Sequence, residues 1–219
     1  YDTILEDYIS DLVEGRSLQK KFKIVFAAGN GTATFVWPDM LRSLWCEVIE
    51  LDCEPDWDFP VVNPDPENGT FLDRLSASVK EHGADFGIWA DGDGDRIGLI
   101  DNHGDRVYSD KIGLLIARNL APKFPGKPVC IDVKSTGLYQ SDPILAKHGN
   151  KVILVKTGHS YVKEAVREHD ALAWLEKSGH WFFNPPLGRW YDDSLVGTIA
   201  LLENLDDSEK TLREKVAEF

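Results

Sequence analysis

Cysteines, basic residues and long apolar runs are all scarce in this sequence. Its three cysteines, Cys46, Cys53 and Cys130, form no CxxC pair and no metal-binding spacing with histidine. We therefore expect reduced thiols in a cytoplasmic protein. No apolar run is long enough to span a bilayer, and the first residues lack the profile of a signal peptide, so we expect no membrane partner.

The shortage of basic residues restricts the possible ligands. The chain has 24 Lys and Arg against 37 Asp and Glu, which gives a formal net charge of −13. A field of this sign repels polyanions, so we expect no nucleic-acid partner. An acidic protein that binds phosphate must concentrate positive charge locally, in a bound metal or in a few placed Lys and Arg side chains.

Two halves of the chain show the same order of predicted elements. Apolar runs bounded by turn residues predict four strands in each half. They lie at 22–28, 46–51, 86–90 and 97–101, and then at 129–133, 151–155, 171–175 and 181–183. In each half the first three strands are linked through helices and should be parallel, whereas the short connection to the fourth makes it antiparallel.

An internal duplication explains this repeat, with two unrelated βαβ units as the alternative. We predict an α/β fold with two related three-layer α/β/α domains, 1–105 and 106–219, each with a small mixed, mostly parallel sheet. Segment 206–219 is predicted as the closing helix of the second domain. Open α/β sheets bind ligands beyond the carboxyl ends of their parallel strands, so loops 91–96 and 176–180 should occupy equivalent sheet edges.

Three aspartates alternate with glycines in the loop DGDGDR at 91–96. Two carboxylates about 5 Å apart repel by roughly 3 kcal/mol, so three in one tight loop call for a cation. The glycines let the backbone fold until the acids converge, and hard oxygen ligands favour Mg²⁺, Mn²⁺ or Ca²⁺ over zinc. Asp91, Asp93 and Asp95 are therefore the predicted metal ligands, with an acidic hairpin without metal as the alternative.

The sequence does not fit an EF-hand. Counted from Asp91, an EF-hand needs Gly at the sixth position and Glu at the twelfth, but these positions are Arg96 and Asn102. The planar guanidinium of Arg96 suits a substrate phosphate or a pair of hydroxyls beside the metal. A plain internal salt bridge is the alternative role for this side chain.

DGDGDR between two strands resembles the metal-binding loop of the α-D-phosphohexomutases of phosphomannomutase/phosphoglucomutase type, and the flanking runs FGIWA and IGLI fit the family. These enzymes move phosphate between C1 and C6 of a hexose. The resemblance implies that the three aspartates hold Mg²⁺, which in turn binds the phosphate on an active-site serine.

Three segments of the second half resemble the family's substrate-binding segments. Residues 176–180, EKSGH, are similar to the sugar loop G-E-M-S-G-H, although Leu175 and Lys177 replace its Gly and Met. Residues 156–160 match K-T-G-H-S, and residues 132–136 match D-V-K-x-T. The resemblance implies substrate binding by Arg96, Lys134, Gly158, His159, Glu176, Ser178 and His180, and catalysis by Arg96, Lys134 and His180.

The residues by themselves leave simpler roles open, namely an exposed lysine at 134, a structural helix-cap histidine at 159 and a surface turn at 176–180. The resemblance makes Lys134 and His180 candidates for moving the proton of the attacking sugar hydroxyl, and does not decide between them. Mannose and glucose phosphates stay equally open as substrates.

The resemblance covers essentially all 219 residues, but only the middle two of the family's four domains. The phosphoserine segment T-A-S-H-N-P and the fourth-domain phosphate loop do not occur in the sequence. The resemblance implies a full-length isomerase that interconverts hexose 1-phosphate and hexose 6-phosphate through a phosphoserine and a bisphosphate intermediate. It also implies that this chain alone is inactive. The alternatives are a metal-dependent sugar-phosphate phosphatase and a non-catalytic sugar-phosphate-binding fragment.

Overall fold

The computed structural model of the protein describes residues 3–61, 69–189 and 191–219. The chain divides into two compact units. The first unit contains Tyr1–Val107 and Leu205–Lys215, and the second contains Tyr108–Asn204 and Val216–Phe219. Within the described ranges, every helix is too short or too polar to cross a membrane.

The first unit is built on a five-stranded sheet with the order β2-β1-β3-β4-β5. Its strands are β1 Lys23–Ala27, β2 Glu47–Leu51, β3 Phe86–Ala90, β4 Ile97–Asp101 and β5 Arg106–Val107, and its first helices are α1 Ile4–Val13, α2 Trp37–Ser43 and α3 Gly69–His82. Strand β1 pairs in parallel with β2 and β3, and β4 runs antiparallel to β3 and β5. The predicted parallel trio and antiparallel fourth strand are confirmed, whereas β5 was not predicted.

The central strands β1 and β3 are apolar on both faces because both faces are covered. On one face, Phe71, Leu75 and Val79 of α3 pack against Val25 and the indole of Trp89. Helix α3 is followed by Gly83, whose φ of +58° is the left-handed conformation typical of a helix C-terminus. This packing fixes the carboxyl ends of β1 and β3. The loop that follows β1 begins at the first of these ends, and the acidic loop, residues 91–96, begins at the second.

The second unit repeats the pattern with a four-stranded sheet of order β7-β6-β8-β9. Its elements are α4 Ser109–Leu120, β6 Val129–Asp132, α5 Pro143–Lys147, β7 Val152–Val155, α6 His159–Glu168, β8 Ala173–Leu175, β9 Trp181–Phe183 and α7 Ser194–Asp206. Strand β6 is parallel to β7 and β8, and β9 is antiparallel to β8. The predicted three parallel strands and antiparallel fourth strand of the second half are confirmed, as is the α/β fold class.

Two helical segments of the second unit are not evident from the sequence pattern. Segment 139–148 does not form one continuous helix: a 3-10 turn ends at Tyr139, and Asp142 caps the short α5 by accepting from the backbone N–H groups of Ile144 and Leu145. Helix α7 was not predicted. It is buried around most of its circumference, so it lacks the polar face that produces a helical period.

The C-terminal segment also departs from the division at residue 105. Of segment 206–219, the structure forms helix α8 at Leu212–Val216, and Leu205–Lys215 groups with the first unit rather than the second. The carboxylate of Asp206 accepts hydrogen bonds from the backbone N–H groups of Gln19 and Lys20, and Arg213 pairs with Asp101 at 2.8 Å. These polar contacts, distant in sequence, hold the chain end on the first unit.

Candidate functional site

The acidic loop closes the β3–β4 hairpin of the first unit. The backbone N–H of Asp91 donates to the Arg96 carbonyl at 3.2 Å, and the N–H of Gly94 donates to the Asp91 carbonyl at 3.1 Å. Gly94 has φ of +79°, a conformation that disfavours side chains, so glycine at this position allows the tight turn. The loop therefore folds back on itself instead of extending into solvent.

This turn brings the three predicted metal ligands together. One carboxylate oxygen each from Asp91, Asp93 and Asp95 lies within 4.8 Å of the other two. Asp91 is buried, Asp93 is exposed and Asp95 is intermediate, so the cluster is open on one side. A divalent cation bound to three such oxygens keeps coordination positions for water or a phosphoryl oxygen.

The electrostatics of the cluster favour a cation. Burial raises the pKa of the Asp91 carboxyl, the backbone N–H and positive charge of Arg96 lower that pKa, and the neighbouring charges of Asp95 and Asp93 raise it again, so that the net shift is upward. A bound cation offsets both burial and mutual repulsion. A hard, all-carboxylate donor set in this geometry fits Mg²⁺, Mn²⁺ or Ca²⁺.

Arg96 contacts the cluster directly. Its Nε lies 2.5 Å from Asp91 Oδ2 and 3.7 Å from Asp95 Oδ1, and its backbone N–H donates to Asp91 Oδ1 at 3.1 Å. The side chain remains 32% exposed. The guanidinium thus makes the internal salt bridge that the sequence left as an alternative, and keeps an accessible face for an anion.

The loop after β1, which contains Gly31 and Thr32, contacts the backbone of the acidic loop. The backbone N–H and hydroxyl of Thr32 both donate to the Gly92 carbonyl, at 3.1 and 3.3 Å. A Cβ atom at Gly31 would lie 2.7 Å from that carbonyl oxygen, closer than real Cβ contacts. The absence of a side chain at Gly31 therefore allows the two loops to touch.

In the second unit, the predicted substrate residues follow three neighbouring parallel strands. Strands β6, β7 and β8 end at Asp132, Val155 and Leu175, and the three motif segments begin directly after them. Because these strands are parallel and adjacent, their carboxyl ends share one sheet edge. Loop 176–180 therefore follows the third strand of its sheet just as loop 91–96 does, which confirms the predicted equivalence.

Within loop 176–180, three predicted residues contact one another. The Nδ1 atom of His180 lies 3.0 Å from Ser178 Oγ and 3.4 Å from Glu176 Oε2. Burial works to raise the pKa of Glu176, but hydrogen bonds from His180 and Ser178, together with the charge of His180, lower it below its usual value. This arrangement places a carboxylate, a hydroxyl and an imidazole side by side.

The other predicted residues occupy the two remaining segments. Lys134 is exposed in the turn after β6. Gly158 has φ of +132° and precedes α6, where its carbonyl accepts from the N–H of Val162. His159 is the first residue of α6, and its side chain lies outside the part of the chain that the structure describes.

One buried residue that the sequence did not single out joins these segments. The Asp132 carboxylate, in a residue only 1% exposed, accepts from the hydroxyls of Ser135 and Thr157 and from the backbone N–H of Lys177. The signal available in the sequence is a carboxylate directly after a run of apolar strand residues. Two of its partners, Thr157 and Lys177, are distant in the chain, so local patterns do not reveal them.

Comparison with known proteins matches both units to one family. Residues 6–104 match "Phosphoglucomutase/phosphomannomutase, alpha/beta/alpha domain II" and residues 108–219 match "alpha/beta/alpha domain III" of the same family. A phosphomannomutase/phosphoglucomutase from Pseudomonas putida is 39% identical over 218 residues, which is 99% of this chain and 46% of that protein. A phosphoglucomutase from Neisseria meningitidis is 37% identical over 205 residues, 93% of this chain and 44% of that protein.

A solved structure has a similar fold. The crystal structure of a phosphoglucomutase/phosphomannomutase family protein from Burkholderia thailandensis superimposes with a TM-score of 0.88 at 33% identity, over 94% of this chain and 44% of that one. The chain thus spans about half the length of the relatives it matches. The predicted α/β/α class of both halves is confirmed, and the chain belongs to the phosphoglucomutase/phosphomannomutase family, of which it contains domains II and III.

Proposed function

We propose that this chain supplies the metal-binding and sugar-recognising parts of a phosphohexomutase that interconverts hexose 1-phosphate and hexose 6-phosphate of mannose or glucose. The observation that carries this proposal is the convergence of Asp91, Asp93 and Asp95 within 4.8 Å in a loop of the family's domain II. The complete reaction belongs to a protein with all four domains, including a phosphoserine in the first and a phosphate-binding loop in the fourth. The chain alone is expected to be inactive.

The residues of the first unit have distinct tasks in this proposal. Asp91, Asp93 and Asp95 hold Mg²⁺, one of the hard divalent cations that their carboxylate oxygens favour. When bound, Mg²⁺ supplies positive charge that neutralises phosphoryl oxygens during transfer. Arg96 binds the same phosphate through the exposed part of its guanidinium, while its Nε keeps the buried Asp91 in place.

The second unit recognises the sugar. Glu176 and Ser178 present an acceptor and a hydroxyl that can pair with vicinal sugar hydroxyls, so that a ligand lacking those hydroxyls leaves polar groups unpaired. Lys134 contributes positive charge for a phosphate, and Gly158 and His159 orient the sugar at the start of α6. His180 is a candidate for taking the proton of the attacking hydroxyl, because histidine exchanges protons near neutral pH. Lys134 is the other candidate, because the family resemblance gives it the same possible role.

The three cysteines support the proposed cytoplasmic location. Cys46, Cys53 and Cys130 are unpaired in the structure. Burial raises the pKa of Cys46 and Cys130 to about 12 and that of Cys53 to about 11, so these thiols are unreactive at neutral pH. Free thiols of this kind are typical of a reducing compartment.

A titration with Mg²⁺ and glucose 1-phosphate tests the proposed function. We expect saturable Mg²⁺ binding by calorimetry, lost in Asp93→Asn and kept in the matched control Asp39→Asn, which removes the same charge from exposed α2 of the same unit. Mg²⁺ at about 100 times its dissociation constant should stabilise the wild type by about 2.7 kcal/mol. Binding of glucose 1-phosphate without release of inorganic phosphate supports a mutase part, whereas phosphate release would favour the phosphatase alternative.

A further inference from the structure

The carboxylate of Asp132 contacts all three motif segments of the second unit. Its Oδ2 accepts from the Thr157 hydroxyl at 3.3 Å, and its Oδ1 accepts from the Lys177 backbone N–H at 3.4 Å. The hydroxyl of Ser135 donates to the same Oδ1. One buried side chain thus joins the turns that follow β6, β7 and β8.

Each partner stands next to a residue proposed to bind substrate. Ser135 adjoins Lys134, Thr157 adjoins Gly158, and Lys177 lies between Glu176 and Ser178. A displacement of any of these turns therefore moves a group that is proposed to bind the sugar phosphate. Hydrogen bonds to an ionised acceptor are roughly twice as strong as neutral ones, so a single carboxylate can hold three turns in one arrangement.

A second buried carboxylate reinforces the first turn. Asp110, near the start of α4 and 5% exposed, accepts from the backbone N–H of Thr136 at 2.9 Å. The turn that carries Lys134 is therefore tied at two successive residues, Ser135 and Thr136, while Lys134 itself is exposed. This is the arrangement expected where a mobile side chain must act from a fixed backbone.

We propose that Asp132 is a positioning residue that couples the Lys134, Gly158 and Glu176–His180 segments into one sugar-phosphate-binding edge. This inference rests on the proposed function and deepens it, because it assigns the geometry of the sugar site to a residue that does not touch the sugar. The site then behaves as a unit, in which loss of the central carboxylate loosens all three segments together.

The test measures glucose 1-phosphate affinity of the full chain by calorimetry or NMR. Asp132→Ala is expected to weaken binding about tenfold, since it leaves three donors without their acceptor. Asp132→Asn should recover most of the affinity, because its oxygen still accepts from Ser135 and Lys177 and its amide can donate to the Thr157 hydroxyl. Mg²⁺ affinity should stay at the wild-type value in both variants, because the metal ligands lie in the other unit.

A double-mutant cycle shows whether Asp132 acts through its partners. Thr157→Val removes the donor to Oδ2 while keeping the shape of the side chain, and it should weaken binding in the wild type but cause little further loss in Asp132→Ala. Asp142→Ala is the matched control. Asp142 is also buried and hydrogen-bonded in the second unit, so its loss should lower the melting temperature without changing the affinity.

The outcomes separate this inference from the function on which it rests. If the wild type binds glucose 1-phosphate and Asp132→Ala binds it equally well, the positioning role is wrong and the proposed function stands. If Asp132→Ala and Asp142→Ala lose affinity alike, Asp132 is only a stability residue and the inference is overturned. If the wild type shows no binding at millimolar ligand, the proposed function itself fails, and the positioning role fails with it.

Discussion

The Nε atom of Arg96 lies 2.5 Å from Oδ2 of Asp91, which sets a fixed positive charge against the most buried carboxylate of the acidic cluster. The same carboxylate is a proposed metal ligand, so the guanidinium and the cation compete electrostatically for it. The guanidinium also offers an exposed face to a phosphate. Removal of its charge should therefore have opposite effects on the two ligands.

We predict that Arg96→Gln tightens Mg²⁺ binding and weakens glucose 1-phosphate binding. Loss of the neighbouring positive charge should lower the Mg²⁺ dissociation constant by about fivefold, equivalent to ~1 kcal/mol for a partly exposed pair. The loss of a charge-assisted contact should raise the sugar-phosphate dissociation constant by about tenfold. Calorimetry measures both, with Arg42→Gln, an exposed ion-pair residue of α2, as the control. Unchanged sugar-phosphate affinity would reduce Arg96 to an internal salt-bridge partner.

A second prediction concerns the contact between Gly31 and the Gly92 carbonyl of the acidic loop. Gly31→Ala places a Cβ atom 2.7 Å from the Gly92 carbonyl oxygen and 3.1 Å from the Ala28 carbonyl oxygen, both of them backbone atoms. The acidic loop must therefore shift, and Mg²⁺ affinity should fall by about tenfold, although no ligand is altered. Gly69→Ala is the matched control, since a Cβ atom there meets nothing within 4 Å. Equal Mg²⁺ affinities of the two variants would show that the support is dispensable.

Much of the acidic cluster was predictable because it is local. Alternation of aspartate and glycine between two apolar strands specifies a tight turn with converging acids, and six consecutive residues, 91–96, contain all of this information. The parallel order of the strands followed from the lengths of their connections. The sequence therefore predicts the positions of the loops at the carboxyl ends of β3 and β8.

Features that depend on distant segments were not predictable. Asp132 begins the 132–136 motif, but the sequence does not show its contacts with Thr157 and Lys177, which form only when the turns after β6, β7 and β8 meet around it. Helix α7 lacks a polar face because it is buried around most of its circumference, so its apolar run has no helical period to detect. The contacts that return the chain end to the first unit join residues more than a hundred positions apart, such as Arg213 and Asp101.

The third prediction is a pH dependence of stability from Glu176. Its pKa is lowered in the folded protein from the ordinary value of 4.5, so the folded state favours the ionised form. A lowered pKa contributes stability that is fully present above the unfolded value and is lost as the pH falls below about 4.5 through the folded value. The melting-temperature difference between wild type and Glu176→Gln should therefore be largest at neutral pH and shrink as the pH falls below about 4.5.

The control for this measurement is Glu164→Gln, an exposed glutamate on α6 of the same unit. It reproduces the change in charge without the contacts to His180 and Ser178. A difference between wild type and Glu176→Gln that stays constant from neutral to acidic pH would contradict the role assigned to the ionised Glu176 carboxylate.

The last prediction tests the attachment of the C-terminal segment to the first unit. The Asp206 carboxylate accepts from the N–H of Lys20 at 2.7 Å and from the N–H of Gln19 at 2.9 and 3.0 Å. Asp206→Ala leaves both N–H groups without this acceptor and should lower the free energy of unfolding by about 1–3 kcal/mol in urea denaturation. The amides of Gln19 and Lys20 should then exchange faster with solvent. Asp207→Ala, at the exposed neighbouring position, should change neither quantity, and equal behaviour of the two variants would mean that Asp206 does not hold the chain end.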